Sequence, residues 1–203
     1  MGLNCFGGRC GVLVALSVAL ALSTSAAVAQ AEFKVAPVAE KKVTELPAGP
    51  LFWQIENFPT RAEAEAAAGP LSLAAEADGK AWLFTLGPEG APTHGGTMVA
   101  EVGPLNEVTA QEYLLSIREG VAPTGAKTMV HTHPGTEAFY VLKGQLSFRT
   151  PPGVDVVDAG KTLAGVAPDA PMEASSTGTT DLHELIMFVV DPAKPFASPA
   201  ALE

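Results

Sequence analysis

From Leu51 onward the chain is written in short apolar or alternating runs broken by Pro, Gly and Asp, a pattern that predicts strands. "LFWQIENF" (Leu51 to Phe58) alternates as a strand. In "PTRAEAEAAAG", Thr60 and Glu63 form a capping box, Ala and Glu propagate a helix, and Gly69 ends it. "LSLAAEADGKAWLFTL" reads as a hairpin: a strand to Ala77, an Asp78-Gly79 turn, and a strand from Ala81 to Leu86. "THGGTMVAEVG", "AQEYLLSIREG", "AKTMVHTH", "EAFYVLKGQLSFRT", "VDVVDAG", "KTLAGVA", "MEASST" and "HELIMFVV" follow as further strands. With one convincing helix and turns at nearly regular spacing, the expected fold class is all-β, an antiparallel sandwich or barrel rather than a βαβ fold.

The two ends read differently. Gly11 to Leu22 is apolar, Arg9 is the only charge before Glu32, and Ala27-Val28-Ala29 is a small-x-small step. Residues 1–29 are therefore expected to be a secretory signal peptide cut after Ala29, which makes the protein exported, periplasmic or secreted, with no stable membrane span after cleavage. Cys5 and Cys10 would leave with it, so the mature chain would have no disulfide. Residues 30–49 mix Ala, Pro, Lys and Glu and are expected to be a flexible or edge-lying arm. Residues 50–96 supply strands and the short helix packing on a barrel spanning 97–192. The proline-rich 193–203 is expected to be an irregular tail. An acidic balance of 22 Asp and Glu against 12 Lys and Arg repels nucleic acid and anionic lipid.

Candidate chemistry is concentrated in "VHTHPGTEAFYVLKG" (Val130 to Gly144). In a strand, residues i and i+2 share a face, so His131 and His133 project together. Pro134-Gly135-Thr136 reverses the chain, and Glu137 begins a neighbouring strand that brings its carboxylate back toward the imidazoles. Two imidazoles and a carboxylate suit a first-row divalent metal and leave open positions. The alternative is a polar edge beside a turn. Apolar flanks, "TMV" before and "AFYVL" after, favour an interior site, where an unpartnered polar trio is costly.

The spacing Gly125-x5-His131-x-His133-x3-Glu137-x6-Gly144 resembles the first motif of the cupin superfamily at every position. The resemblance covers roughly Met98 to Pro192. It implies a cupin-type jelly-roll β-barrel, metal ligation by His131, His133 and Glu137, turn roles for Gly125 and Gly144, and subunits that pair as a homodimer. The second motif departs from the family. In "AGKTLAGVAPDAPMEASSTG", Gly160 opens the motif, Asp169 takes the place of a turn glycine, and Pro171 fits the turn. Met172 then stands where a fourth ligand histidine is expected. A thioether matches Cu(I) better than Fe(II), Mn(II) or Zn(II), so Met172 reads either as a fourth-position ligand or as core and pocket lining.

His183 is the other candidate for the fourth position, or an edge residue beside Leu185, Met187 and Val189. Met129, Phe139, Val141, Phe148 and Trp82 are candidate pocket-lining residues. Tyr113, Gln145 and Arg149 are weaker candidates for orienting a substrate, and alternation turns Tyr140 away. The cofactor expected is a divalent transition metal: Fe, Mn, Ni, Zn or Cu. Two functions follow. One is a metal-dependent, dioxygenase-like enzyme on a small organic molecule. The other is a non-catalytic small-ligand or metal-binding protein with a degenerate site. The fold itself does not choose between them.

Overall fold

A computed structural model describes Met1 and residues 32–202. The expected signal peptide therefore lies almost wholly outside the described residues. In chain order the elements are β1 (Lys34–Val43), β2 (Phe52–Phe58), α1 (Arg61–Ala67), β3 (Ser72–Ala77), β4 (Lys80–Gly87), β5 (Thr97–Val102), β6 (Tyr113–Ala122) and β7 (His131–Thr132). β8 (Gly135–Lys143), β9 (Gln145–Thr150), β10 (Gly153–Asp158), β11 (Thr162–Ala164), β12 (Glu173–Ser176), β13 (Leu182–Val190) and β14 (Ser198–Pro199) complete them.

These strands make three stacked layers. The middle layer is a five-stranded antiparallel sheet, ordered β1-β6-β13-β8-β11. Against its inner face lies β10-β9-β12. Single bridges Lys127↔Ser175 and His131↔Met172 continue that layer to β7, which pairs with β14. The two layers enclose a core of Phe139, Val141, Leu146, Phe148, Met172, Ile186 and Phe188, as a jelly roll does. On the outer face of the middle sheet sits a four-stranded sheet, β3-β4-β2-β5. Its Trp53, Ile55, Trp82 and Phe84 pack on Leu115, Ile117, Leu185, Met187 and Val189.

Local signals act as expected at several places. Thr60 accepts from the Glu63 N–H while the Glu63 carboxylate accepts from the Thr60 N–H, closing the capping box of α1. Asp78 and Gly79 both take positive φ, at 50° and 66°, as the tight turn between β3 and β4 requires.

Of the flexible and edge-lying alternatives for residues 30–49, residues 34–43 take the edge-lying one. They form the edge strand β1 along β6, with a register shift at Pro37/Ala39 where proline cannot donate to the ladder. Two boundaries differ from the sequence reading. Thr97–Val102 belongs to the outer sheet, paired with β2, so the barrel's own strands resume at β6. The tail is not wholly irregular: Ser198↔Thr132 and Pro199↔His131 pair it onto β7.

Candidate metal centre

β7 and the turn after it carry the two histidines, and β8 carries the glutamate. His131 and Met172 exchange both backbone hydrogen bonds, at 3.0 and 2.9 Å, so their side chains stand side by side on one face. The Asp169 N–H donates to the His133 carbonyl at 2.8 Å, and Asp169 sits at φ 61°, the left-handed position expected of a glycine counterpart. Gly125 and Gly144 also have positive φ, at 87° and 77°. A Cβ on Gly165 would lie 2.7 Å from Glu137 Cγ, so that glycine leaves the space the glutamate fills.

The imidazoles are oriented from behind. His131 Nδ1 lies 2.8 Å from the Met129 carbonyl oxygen, and His133 Nδ1 lies 2.6 Å from that of Phe196. A carbonyl only accepts, so each Nδ1 carries a proton and each ring turns its Nε2 toward the other. The two Nε2 atoms face each other at 3.1 Å. A shared proton or a bound cation between them accounts for that distance. Ligands at right angles on a metal with bonds near 2.1 Å stand about 3.0 Å apart. Glu137 Oε2 is 3.9 Å from His133 Nε2, wider than that spacing, and Glu137 Oε1 has no partner. As the side chains stand, no set of three or more His, Cys, Asp or Glu among the described residues holds metal-binding geometry. The histidine pair fits a metal ion; the carboxylate would have to turn toward it.

Burial sets the charge states. His133 is pushed down to about 4, first by desolvation, against the lift from the Phe196 carbonyl and with a further push from His131 and Arg118. Glu137 is raised to about 8, first by burial and then by Glu184. Glu184 is itself raised to about 8 by burial.

The cavity around these groups measures about 190 Å³. His131, His133, Glu137, Phe139, Phe148 and Met172 line it as expected. Met172 is apolar contact as well as neighbour to His131, being 2% exposed within the barrel core. Four other candidates lie elsewhere. Met129 is 82% exposed and points to solvent, because the residues before β7 are joined to β12 only by single bridges. Val141 is buried in the barrel core but does not line the cavity. Trp82 packs in the outer core. His183 is on the far face of β13, where its Nε2 meets Glu119 Oε1 at 2.7 Å and its Nδ1 lies 3.5 Å from Asp78. A register shift between His183 and Glu184 separates it from the cavity side. Tyr113 borders a different groove, Gln145 bonds Asp158, and Arg149 pairs with Glu173 outside the cavity.

The cavity also has walls the sequence pattern did not mark: Glu184, Arg118, Phe33 and Phe196. Phe196 stacks edge-on against His133 and Phe188, at 5.0 and 4.9 Å between ring centroids. The Arg118 guanidinium lies 3.7 Å over its ring.

No family model matches the chain, and no curated protein matches it. Several solved structures do. A DMSP lyase from Ruegeria pomeroyi is 16% identical with a TM-score of 0.38, the match covering 42% of this chain and 43% of that one. A cupin-like protein from Thermotoga maritima is 16% identical with a TM-score of 0.39, covering 43% and 65%. An oxalate oxidase in complex with the substrate analogue glycolate is 22% identical with a TM-score of 0.36, covering 41% and 45%. The chain thus spans less than half the length of the lyase. The stacked antiparallel sheets define the class of fold, an all-β jelly-roll barrel, and the motif spacing with its positive-φ glycines resembles the first cupin motif.

Proposed function

We propose that this protein is a divalent-metal-binding cupin that acts on a small organic molecule held in the 190 Å³ cavity. One observation carries the reading. Both Nδ1 atoms are tied to backbone carbonyls, so His131 and His133 aim their Nε2 atoms toward one point, 3.1 Å apart. Such backing hydrogen bonds fix tautomer and ring orientation in metal sites. Glu137 would supply the third ligand in its deprotonated form.

A bound metal would supply Lewis acidity or a site for O2. The chain's own residues do the rest. Met172 beside His131 offers only a weak, soft donor, so a bound metal would keep an open position there. Phe139, Phe148, Ile186 and Phe188 exclude water and hold the apolar part of the ligand. A dioxygenase-like reaction remains the enzyme class proposed; the second reading, a binding protein without turnover, draws support from Met172 and from the 3.9 Å gap at Glu137. The apolar run Gly11 to Leu22 supports export.

Elemental analysis of the full protein, purified under metal-replete conditions, tests the metal reading. One equivalent of a transition metal is expected, falling below a tenth of an equivalent in His131→Ala/His133→Ala. A wild-type protein without stoichiometric metal sinks both the enzyme reading and the metalloprotein reading.

A further inference from the structure

Glu184 has no structural employment. It is fully buried on the cavity side of β13, and neither carboxyl oxygen has a partner. Its register neighbours are Gly120 on β6 and Val141 on β8. A Cβ on Gly120 would come within 2.9 Å of Glu184 Cγ and 3.0 Å of its Oε1, so the carboxyl lies across the bare glycine backbone. The sheet makes room for a group that stabilises nothing in it. A buried carboxyl left unbonded is costly, and a ligand oxygen would remove that deficit.

The cavity has two polar poles. Glu137 is level with Phe188 on β13, and Glu184 is level with Val141 on β8. Four residues of β13, roughly 13 Å of strand, separate the two backbone levels, while the side chains lean close enough for Glu184 to raise the Glu137 pKa. Phe139, Phe148, Ile186 and Phe188 form apolar wall. Arg118 does not serve the second pole, because its guanidinium is held by Ser116, Glu40 and the Phe196 ring.

We propose that Glu184 is a ligand-binding residue: it hydrogen-bonds the carbonyl or hydroxyl oxygen of a small, neutral, mostly apolar organic molecule lying along the cavity. The inference rests on reading the cavity as a ligand site but not on its metal. The burial that keeps the carboxyl protonated near neutral pH supports it, since a carboxylic acid both donates and accepts. The volume of 190 Å³ sits below the roughly 300–1,000 Å³ of sites for drug-sized molecules, so a monocyclic compound is the right scale.

Phenol and toluene are near-isosteric probes that differ in one oxygen. Their affinities for the metal-free full chain, measured by ligand-observed NMR titration at pH 6.5, should differ about tenfold in favour of phenol, the worth of one hydrogen bond to a buried partner. Glu184→Leu should bring the two within threefold. Gly120→Ala, which displaces the carboxyl without removing it, should also narrow the gap, and it decides the matter if Glu184→Leu does not fold. Equal binding of the two probes by the wild type, or a preference that survives both Glu184→Leu and Gly120→Ala, overturns the proposal. Loss of metal binding alone would sink the metal reading and leave this one standing.

Discussion

At the scale of single residues, the cavity holds ionisable groups against their solvated preference, and stability should show it. In the unfolded chain a glutamate loses its proton near 4.5; Glu137 and Glu184 keep theirs to about 8 in the folded one. Between those values the unfolded state binds fewer protons, so stability falls as pH rises. His133 has the opposite sign. Its imidazole is neutral above about 4 when folded and above 6.5 when unfolded, so its contribution rises with pH across that window. Above 6.5 only the carboxyls act. The metal-free protein should therefore lose stability from pH 6.5 to 8, by about 1 kcal/mol per pH unit and group. Urea unfolding at the two pH values measures this, and Glu184→Gln should remove about half of the slope. A flat profile would show that the carboxyls are not held protonated. Replacing the unpaired carboxyl altogether, as in Glu184→Leu, should raise stability by about 1–3 kcal/mol. Met172→Ala belongs to the other class of change: it empties core volume and should destabilise by about 2–5 kcal/mol.

Met172 is also the residue where the sequence most clearly departs from the cupin motifs it resembles, and the structure gives that departure a place. Because Met172 and His131 form one backbone pair, an imidazole at position 172 would stand directly beside His131. Met172→His is expected to tighten Co(II) binding by at least tenfold, read by metal titration. Unchanged affinity would mean that position 172 is not adjacent to the coordination sphere.

At the scale of elements, the tail after β13 does more than its composition suggests. Phe196 accepts the His133 Nδ1 proton through its carbonyl and stacks its ring on the same imidazole, while β14 holds the segment against β7. Truncation after Pro192 removes the carbonyl, the ring and the pairing together. It is expected to weaken metal affinity about 10–100-fold, as loss of a backing hydrogen bond does in metal sites, and a competition titration with a chelator reads it. Proline-rich spacing hid this strand, because two residues pair too briefly to leave a periodic trace. β13 shows a second limit of pattern reading. "HELIMFVV" offers two faces, and both are apolar. Leu185, Met187 and Val189 meet the outer sheet, while Ile186 and Phe188 face the barrel. A strand buried on both sides gives no alternation to read. His183 was therefore plausible at the cavity and Glu184 invisible, although Glu184 is the one facing in.

The whole molecule explains why the barrel strands look this way. The outer sheet covers the middle one, and Trp82 anchors that contact at 1% exposure, with its Nε1 donating to the Ala77 carbonyl at 2.9 Å. Trp82→Ala should destabilise the protein by about 3–5 kcal/mol and leave metal content per folded molecule unchanged. The class of fold, the short helix, the hairpin at Asp78-Gly79 and the convergence of His131 and His133 were all legible, because each rests on local chemistry or a fixed spacing. Layer membership was not, because β1 and β5 join their sheets through partners far away in sequence. No described helix is long and apolar enough to cross a membrane.

A crystal structure of the Co(II)-soaked protein, read by anomalous scattering, tests the metal centre most directly. The predicted result is a single strong peak within bonding distance of His131 Nε2 and His133 Nε2, with the Glu137 carboxylate turned to meet it. A peak away from these side chains, or none at all with the imidazoles still 3.1 Å apart, would contradict it.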